Sequence, residues 1–233
     1  MNRVAVLQSS YIPWKGYFDI IHDVDEFIFY DDVQYTKNDW RNRNKVKCSS
    51  GTQWLTIPVQ SSNASLICEV MLPETNWNVK HMKTIEALYS KAPYFKKYKD
   101  FLEYVYMERS WNSLSELNQY LITSISSEFL GVSTDFKDSR EYKSEGNKLD
   151  RLLDLLSKSK ADLYVSGPAA KDYIDSTRFE EQGIELVYKN YDNYPEYNQF
   201  HPPFEHYVSI FDVLFHTGPD ASYFIWGWRE DEN

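Results

Sequence analysis

Short apolar stretches alternate with amphipathic helical stretches at both ends of this chain of 233 residues, and this alternation narrows its fold more than any other feature. Residues 4–8 predict a buried strand, and residues 9–13 predict a turn. Residues 14–23 have helical spacing, and residues 26–30 predict a second strand. A strand, a helix and another strand in this order are typical of a parallel pair with a crossover.

The same alternation returns in the last third of the chain. It predicts strands at 134–137, 162–167 and 184–188, and helices at 147–157, 169–174 and 207–215. Strands that alternate with helices favour an α/β fold whose sheet is mostly parallel and Rossmann-like.

Helical spacing dominates the middle of the chain, from residue 78 to residue 130, and Gly131 is placed to end the last helix. We interpret residues 78–131 as a helical insertion between two parts of one α/β domain, residues 1–77 and 132–233. Residues 53–59 predict a further strand, and Pro58 puts it near an edge or an end.

Polar residues follow four of the predicted strands, at 8–11, 31–35, 166–168 and 189–192. In open α/β sheets, ligands bind beyond the carboxyl ends of the strands. If the sheet is parallel, these four loops share one edge. The sequence therefore predicts one site there.

The region after the second predicted strand has an unusual charge. Asp31 and Asp32 come first, and residues 33–47 then contain five basic side chains against the single acidic Asp39, in a chain with a net charge of -10. This pattern predicts a site for an anionic ligand. The alternative interpretation is a solvated turn. Arg41 and Arg43 are candidate phosphate ligands, with surface charge as the alternative.

Three residues are candidates for proton transfer. Neighbouring side chains on a strand point to opposite faces, so only one of Asp31 and Asp32 is expected to face the site. A carboxylate there could orient an amine or bind Mg²⁺, and the alternative is a turn that ends a strand. His81 lies near a predicted helix start and could act as a base, although a single helical His is more often structural.

Other motifs are weaker. Residues 166–171 join a strand to a helix and include Ser166, Gly167 and Lys171, which could hold an anion, but they lack the full P-loop pattern and also fit an ordinary turn. The five His have no metal-ligand spacing, and no motif for a covalent acyl-enzyme is present. We therefore predict no protein metal site.

Three sequence features that would indicate a membrane or exported protein are absent. No apolar run is long enough to span a membrane, the first residues do not resemble a signal peptide, and Cys48 and Cys68 imply no disulfide framework. Their absence predicts a cytoplasmic protein. The acidic composition argues against broad binding to duplex nucleic acid but leaves a local contact with a nucleotide or RNA open.

Several motifs together resemble the WbqC-like proteins. They are the segments 8–19, 31–35, 39–44, 54–59, 80–81, 163–167, 197–199 and 209–215, followed by Gly218. The chain departs from the family pattern at Ser9, where Pro is expected, and at His216, where Asn is expected. The family occurs among genes for bacterial surface polysaccharide (O-antigen). The resemblance thus implies work on activated sugars.

A looser similarity links residues 4–35 to pantothenate synthetase, a nucleotidylyl transferase that joins a carboxylate to an amine through an acyl-adenylate. It makes a nucleotidylyl-transferase-like sheet one option. The His pair of that superfamily is absent between residues 13 and 17.

The resulting prediction is a transferase that acylates or aminoacylates the amine of a nucleotide-linked amino sugar, with glycine as one candidate group. Asp31 or Asp32 would handle the amine, and Tyr11, Tyr35 and Trp40 would stack on the sugar or base. The remaining candidate substrate-binding residues are Gln8, Gly16, Tyr17, Gln34, Asn42, Tyr197 and Gln199.

The acyl donor is not identified by the sequence, and an aminoacyl-tRNA is one option for it. Mg²⁺ is an option as a cofactor. Two alternatives to the transferase stay open: an ATP-dependent amide ligase of nucleotidylyl-transferase type, and a non-catalytic module that binds a nucleotide-sugar or a partner enzyme.

Overall fold

A parallel sheet of five strands forms the centre of the computed structural model, which describes residues 1–62, 64–172 and 174–230. Its strands are β1 (Arg3–Leu7), β2 (Glu26–Phe29), β5 (Asp135–Asp138), β6 (Leu163–Ser166) and β7 (Glu185–Tyr188). They lie side by side in the order β5-β2-β1-β6-β7, and all four pairings are parallel. The predicted α/β class with a parallel sheet is confirmed.

The order of the strands reverses at the centre of the sheet. From β1 the chain builds outward through β2 and β5, and it then returns to the other side of β1 to add β6 and β7. Such a reversal opens a crevice beyond the carboxyl ends of the two central strands. The more specific Rossmann-like or nucleotidylyl-transferase-like assignment stays a prediction.

Each face of the sheet is covered by its own hydrophobic cluster, because side chains alternate along the strands. On β1, Val4 and Val6 join a cluster with α5 (Leu149–Lys158) and α6 (Thr177–Glu180). Ala5, on the opposite face, joins the larger cluster with α1 (Lys15–His22) and α7 (Ile210–Thr217). Two hydrophobic layers therefore sandwich the sheet.

The predicted helical region consists of α2 (Trp77–Tyr89), α3 (Lys99–Glu103) and α4 (Leu114–Ser124). The last two continue into π-helical turns at Tyr104–Glu108 and Ile125–Phe129, and Gly131 follows with a positive φ of 67°. These helices share the larger hydrophobic cluster with α1 and α7. The helices are confirmed where they were expected, whereas the domain boundaries stay predictions.

A hairpin of β3 (Arg43–Cys48) and β4 (Gly51–Thr56) departs from the sequence prediction. No strand was predicted for residues 43–48, and a strand was expected at 53–59. β3 was missed because four of its six residues are polar or charged and it shows no apolar alternation. β4 ends before Pro58, which has no N–H for a ladder.

The predicted helix at 169–174 is a short 3₁₀ helix, Pro168–Asp172, and residue 173 lies outside the described residues. The helix expected at 207–215 begins three residues later, at Ile210, after Ser209 caps it by accepting a hydrogen bond from Phe211 N. Within the described ranges, none of the helices combines the length and the apolar character needed to cross a membrane.

Candidate functional site

A cavity of about 1220 Å³ opens where the strand order reverses. Its wall comes from the carboxyl ends of β1 and β6, the loop after β1 with the start of α1, and the start of α5. The segment before β3, the first residues of β3, and Tyr191, Glu205 and Tyr207 also form part of it. The loops at 8–17 and 166–170 thus share one edge of the sheet, as the parallel arrangement predicts.

Side-chain amides fix the loops that form this wall. Asn44 Nδ2 donates to the backbone oxygens of Tyr11 and Ile12, at 3.1 and 2.9 Å. Asn118 Nδ2, on α4, donates to the oxygen of Arg41 at 2.8 Å. These hydrogen bonds tie the loop after β1 to β3, and the segment before β3 to α4, so the protein itself holds the wall in place.

The charges along the wall are mostly positive. Arg41, Lys45 and Lys148 line the cavity, and Glu205 is the one carboxylate among the described lining residues. Arg41 Nε is buried and has no hydrogen-bond partner in the described part of the chain. A buried donor that no protein acceptor satisfies is available to an acceptor on a ligand, such as a phosphate oxygen.

Aromatic rings form two more parts of the wall. Trp14 packs against Tyr191 and Tyr207, each with a centroid distance of 5.0 Å. Trp40 lies 5.3 Å from Trp54 and is 42% exposed, so part of its ring is open to a ligand. Rings of this kind suit stacking on a base or on a sugar.

Asp31 is fully buried and does not belong to the described lining. Its carboxylate accepts hydrogen bonds from Ser9 N at 2.8 Å, from Gln119 Nε2 at 3.0 Å and from the Ser115 hydroxyl. It therefore connects the loop after β1 to α4. This geometry gives Asp31 a positioning role.

Asp32 points the other way, as strand alternation requires. It accepts a hydrogen bond from Ser139 Oγ at 2.5 Å and forms an ion pair with Arg151 on α5. Like Asp31, it is absent from the described lining. The expectation that one of the two faces the cavity as a free carboxylate therefore has no support in this geometry.

His81 is buried between two partners. Its Nδ1 accepts from the hydroxyl of Tyr11 at 2.8 Å when Nε2 donates to Thr56 O at 3.2 Å. Tyr11 also shares a hydrogen bond of 2.6 Å with Tyr106. Burial lowers the pKa of His81 to about 4, so the ring is neutral at pH 7. His81 and Tyr11 lie outside the described lining.

The other candidates divide into two groups. Those that line the cavity are Gln8, Tyr17, Trp40, Arg41, Ser166 and Gly167. Those that lie outside the described lining are Gly16, Gln34, Tyr35, Asn42, Arg43, Lys171, Tyr197 and Gln199. Arg43 instead stacks on Trp54, with its guanidinium carbon 4.3 Å from the ring centroid, and Asn42 donates to the oxygen of Ile57.

Glu205 lines the cavity but was not identified from the sequence. Its carboxylate oxygen Oε1 accepts a hydrogen bond from Tyr207 N at 2.9 Å. Gln199 holds its backbone through two hydrogen bonds, Gln199 Nε2 to Glu205 O at 3.1 Å and Glu205 N to Gln199 Oε1 at 2.8 Å. Gln199 and Tyr197 both donate to the buried carboxylate of Asp212. Residues 195–207 form no helix or strand. No periodic pattern in the sequence could therefore have revealed that Glu205 lines the cavity.

No group of three or more His, Cys, Asp or Glu side chains is arranged to hold a metal ion within residues 1–62, 64–172 and 174–230. Binding of Mg²⁺ thus stays a prediction that no cluster of this kind supports.

Comparisons with known proteins agree with the resemblance. The model of the WbqC-like protein family matches residues 8–223. "Uncharacterized protein Rv1507c" of Mycobacterium tuberculosis is 44% identical over 223 residues, which are 95% of this chain and 96% of that protein. No solved structure matches the chain. The family match and this relative each extend over nearly the whole chain, and the chain therefore belongs to the WbqC-like protein family.

Proposed function

We propose that the cavity binds a nucleotide-linked amino sugar and that the chain acylates its amine, as part of bacterial surface-glycan biosynthesis. The observation that carries this proposal is the unpartnered, buried Nε of Arg41 in an aromatic cavity at the reversal of strand order. A diphosphate offers the acceptors that such a donor lacks.

The charges and rings of the wall favour the same ligand. Trp40, Arg41 and Lys45 all line the cavity. Arg43, which lies midway between the two cations in the sequence, does not belong to the described lining. In the proposed complex the two cations contact the diphosphate, and Trp40 and Trp14 stack on the base and the sugar.

Glu205 is the group that we assign to proton transfer. The amine must lose a proton when its nitrogen attacks the carbonyl carbon of the acyl donor. The N–C bond forms, the bond between the acyl carbon and its leaving group breaks, and the proton passes through Glu205 to the leaving group. Glycine, which carries no side chain, is our first candidate for the acyl group.

Binding is tested by calorimetric titration with UDP-glucosamine as the probe. Arg41→Ala should weaken binding by about 1.5–3 kcal/mol, the usual size of a charge-assisted hydrogen bond. Lys37→Ala is the matched control, since it removes an equal charge from an exposed residue of the same basic segment, outside the described lining. Equal losses in both variants would show that the net charge of the surface matters and that the cavity does not.

Turnover is tested by mass spectrometry of the sugar nucleotide after incubation with activated acyl donors. Glu205→Gln should lower turnover at least a hundredfold, because general base catalysis contributes about 10²–10⁴-fold. Glu196→Gln, an exposed neighbour on the same segment, is the control. Full activity of Glu205→Gln would remove Glu205 from the reaction.

The second candidate function is a non-catalytic module that binds a nucleotide-sugar. One observation favours it: Asp31, Asp32 and His81, the residues that the sequence predicted for proton transfer, form hydrogen bonds or ion pairs within the protein. Tight binding of UDP-glucosamine without product from any acyl donor would support this candidate over the transferase.

A further inference from the structure

We infer that the cavity contains a second subsite, which takes the base of an adenine nucleotide that activates or carries the acyl group. This subsite is the apolar part of the cavity, lined by Val6, Tyr30, Leu149, Leu152, Tyr164 and Ile174. The inference rests on the proposed function, which places the sugar nucleotide elsewhere in the cavity and requires an acyl donor beside it.

The two parts of the cavity are built from different elements. The apolar part lies on the face of the sheet that α5 covers, and its residues belong to the smaller hydrophobic cluster or pack against it. The charged part comes from the loop after β1, the start of β3 and residues 205–207; it is lined by Trp14, Trp40, Arg41, Lys45, Glu205 and Tyr207. Gln8, Ser166 and Gly167, at the ends of β1 and β6, lie between them.

The size of the cavity leaves room for two ligands. Its volume is about 1220 Å³. Pockets for a single small molecule or cofactor usually have about 300–1,000 Å³. An acylation also requires two substrates at the same time, so a second ligand is expected beside the sugar.

The chemistry of the apolar part fits a nucleobase better than an acyl chain. A base has flat apolar faces and polar edges. The rings of Tyr30 and Tyr164 and the side chains of Leu149 and Leu152 provide apolar surface, and Ser166 and Gln8 provide polar groups at its border. An acyl chain would make no use of those polar groups, whereas a base is oriented by them.

A cation is placed to meet the phosphates of this second nucleotide. Lys148 lines the cavity directly beside Leu149, and it is well separated in the sequence from Arg41 and Lys45. Open parallel sheets bind nucleotides across the crevice where the strand order reverses, which is where this subsite lies. Two compounds carry the required adenine: ATP, which would activate a free carboxylic acid, and coenzyme A, which would carry the acyl group as a thioester.

Competition between ligands on the unmodified protein is the first test. We expect AMP to bind, and we expect saturating UDP-glucosamine to change its affinity by less than threefold. Displacement of AMP by UDP-glucosamine would overturn the inference, because it would mean one site for both. Absence of binding by AMP, ATP and coenzyme A alike would also overturn it. Tighter binding of ATP than of coenzyme A identifies a ligase, and the reverse order identifies a thioester donor.

Two variants then separate the subsites. Leu152→Trp, which fills the apolar part, should weaken AMP binding at least tenfold and change the affinity for UDP-glucosamine by less than twofold. Arg41→Ala should weaken UDP-glucosamine binding at least tenfold and change the affinity for AMP by less than twofold. Should Leu152→Trp fail to fold by circular dichroism, Lys148→Ala replaces it and should weaken ATP at least fivefold. Equal losses for both ligands in either apolar-part variant would contradict two subsites. If UDP-glucosamine binds nowhere, the proposed function fails, but the response of AMP to these variants still decides the inference.

Discussion

Single buried polar residues next to the cavity hold its wall in place. Asp31 illustrates this role, because three hydrogen bonds bind its carboxylate to the loop after β1 and to α4. Asp32 has a different role, since it pairs with Arg151 on the opposite side of the sheet. Two adjacent carboxylates therefore anchor different layers of the molecule.

We expect Asp31→Asn to lower the free energy of unfolding by about 1.5–3 kcal/mol. An amide oxygen is a weaker acceptor than a carboxylate, and the amide NH₂ would face the donors that now bind Asp31. Asp32→Asn should cost less, because its pair with Arg151 is partly exposed. Urea denaturation measures both. A hundredfold loss of turnover in either variant at unchanged stability would instead support a proton-transfer role for that carboxylate.

The stability of the protein should depend on pH through His81. Burial lowers its pKa in the folded chain from 6.5 to about 4, so the unfolded chain binds more protons between these values. The contribution of His81 to the free energy of unfolding is therefore fully present above about pH 6.5. It is lost as the pH drops toward 4, and the loss amounts to about 3 kcal/mol.

His81→Gln provides the control for this prediction. Gln can accept a hydrogen bond from Tyr11 and donate one to Thr56, but it does not titrate. Between pH 7 and pH 4, the melting temperature should fall less steeply in this variant than in the unmodified chain. Identical slopes would show that other groups cause the acid sensitivity.

At the level of elements, α1 lines the cavity through Tyr17 and also shapes it through a residue outside the described lining, Gly16. Gly16 is the second residue of α1, and a Cβ at this position would overlap the ring of Trp14. Trp14 in turn lines the cavity against Tyr207. The absence of a side chain at Gly16 thus sets the position of a cavity wall.

Gly16→Ala should therefore weaken binding of UDP-glucosamine at least threefold by displacing Trp14. Alanine in a helix normally stabilises it by about 1 kcal/mol relative to glycine. We expect the overlap with Trp14 to cancel this gain, so the melting temperature should not rise. A higher melting temperature with unchanged affinity would disprove the close packing.

At the level of the whole molecule, Asp212 connects distant parts of the chain. Its buried carboxylate, on α7, accepts hydrogen bonds from Tyr89 on α2 and from Tyr197 and Gln199. Gln199 then holds the backbone of Glu205. One carboxylate thus links the helical region, the last helix and the cavity.

Asp212→Ala should lower the free energy of unfolding by about 3 kcal/mol or more, because three buried donors lose their acceptor at once. Asp220→Ala, an exposed residue in the following 3₁₀ turn, should change it by less than about 0.5 kcal/mol. Both values are measured by urea denaturation. A small effect of Asp212→Ala would show that the three donors find other partners.

The sequence alone was sufficient for the features that depend on local periodicity. The leucines of α5 and the apolar runs of β1, β2 and β6 indicate their elements directly, and parallel pairing brings the loops after β1 and β6 together. Arg41 and Trp40 were accessible in the same way, because an unusual cluster of cations and aromatic residues is visible in one segment. The hairpin of β3 and β4 could not be predicted in this way, since its first strand is too polar to show apolar alternation.

Only the tertiary structure decided which polar side chains reach the cavity. Alternation predicts that Asp31 and Asp32 diverge, but the partners that bind them, Gln119 and Arg151, are remote in the sequence. Glu205 reaches the wall because Gln199 and Asp212 hold an irregular segment in place. Periodicity reports the local backbone, whereas hydrogen bonds between distant segments determine where an individual side chain ends up, and those bonds exist only once the chain has folded.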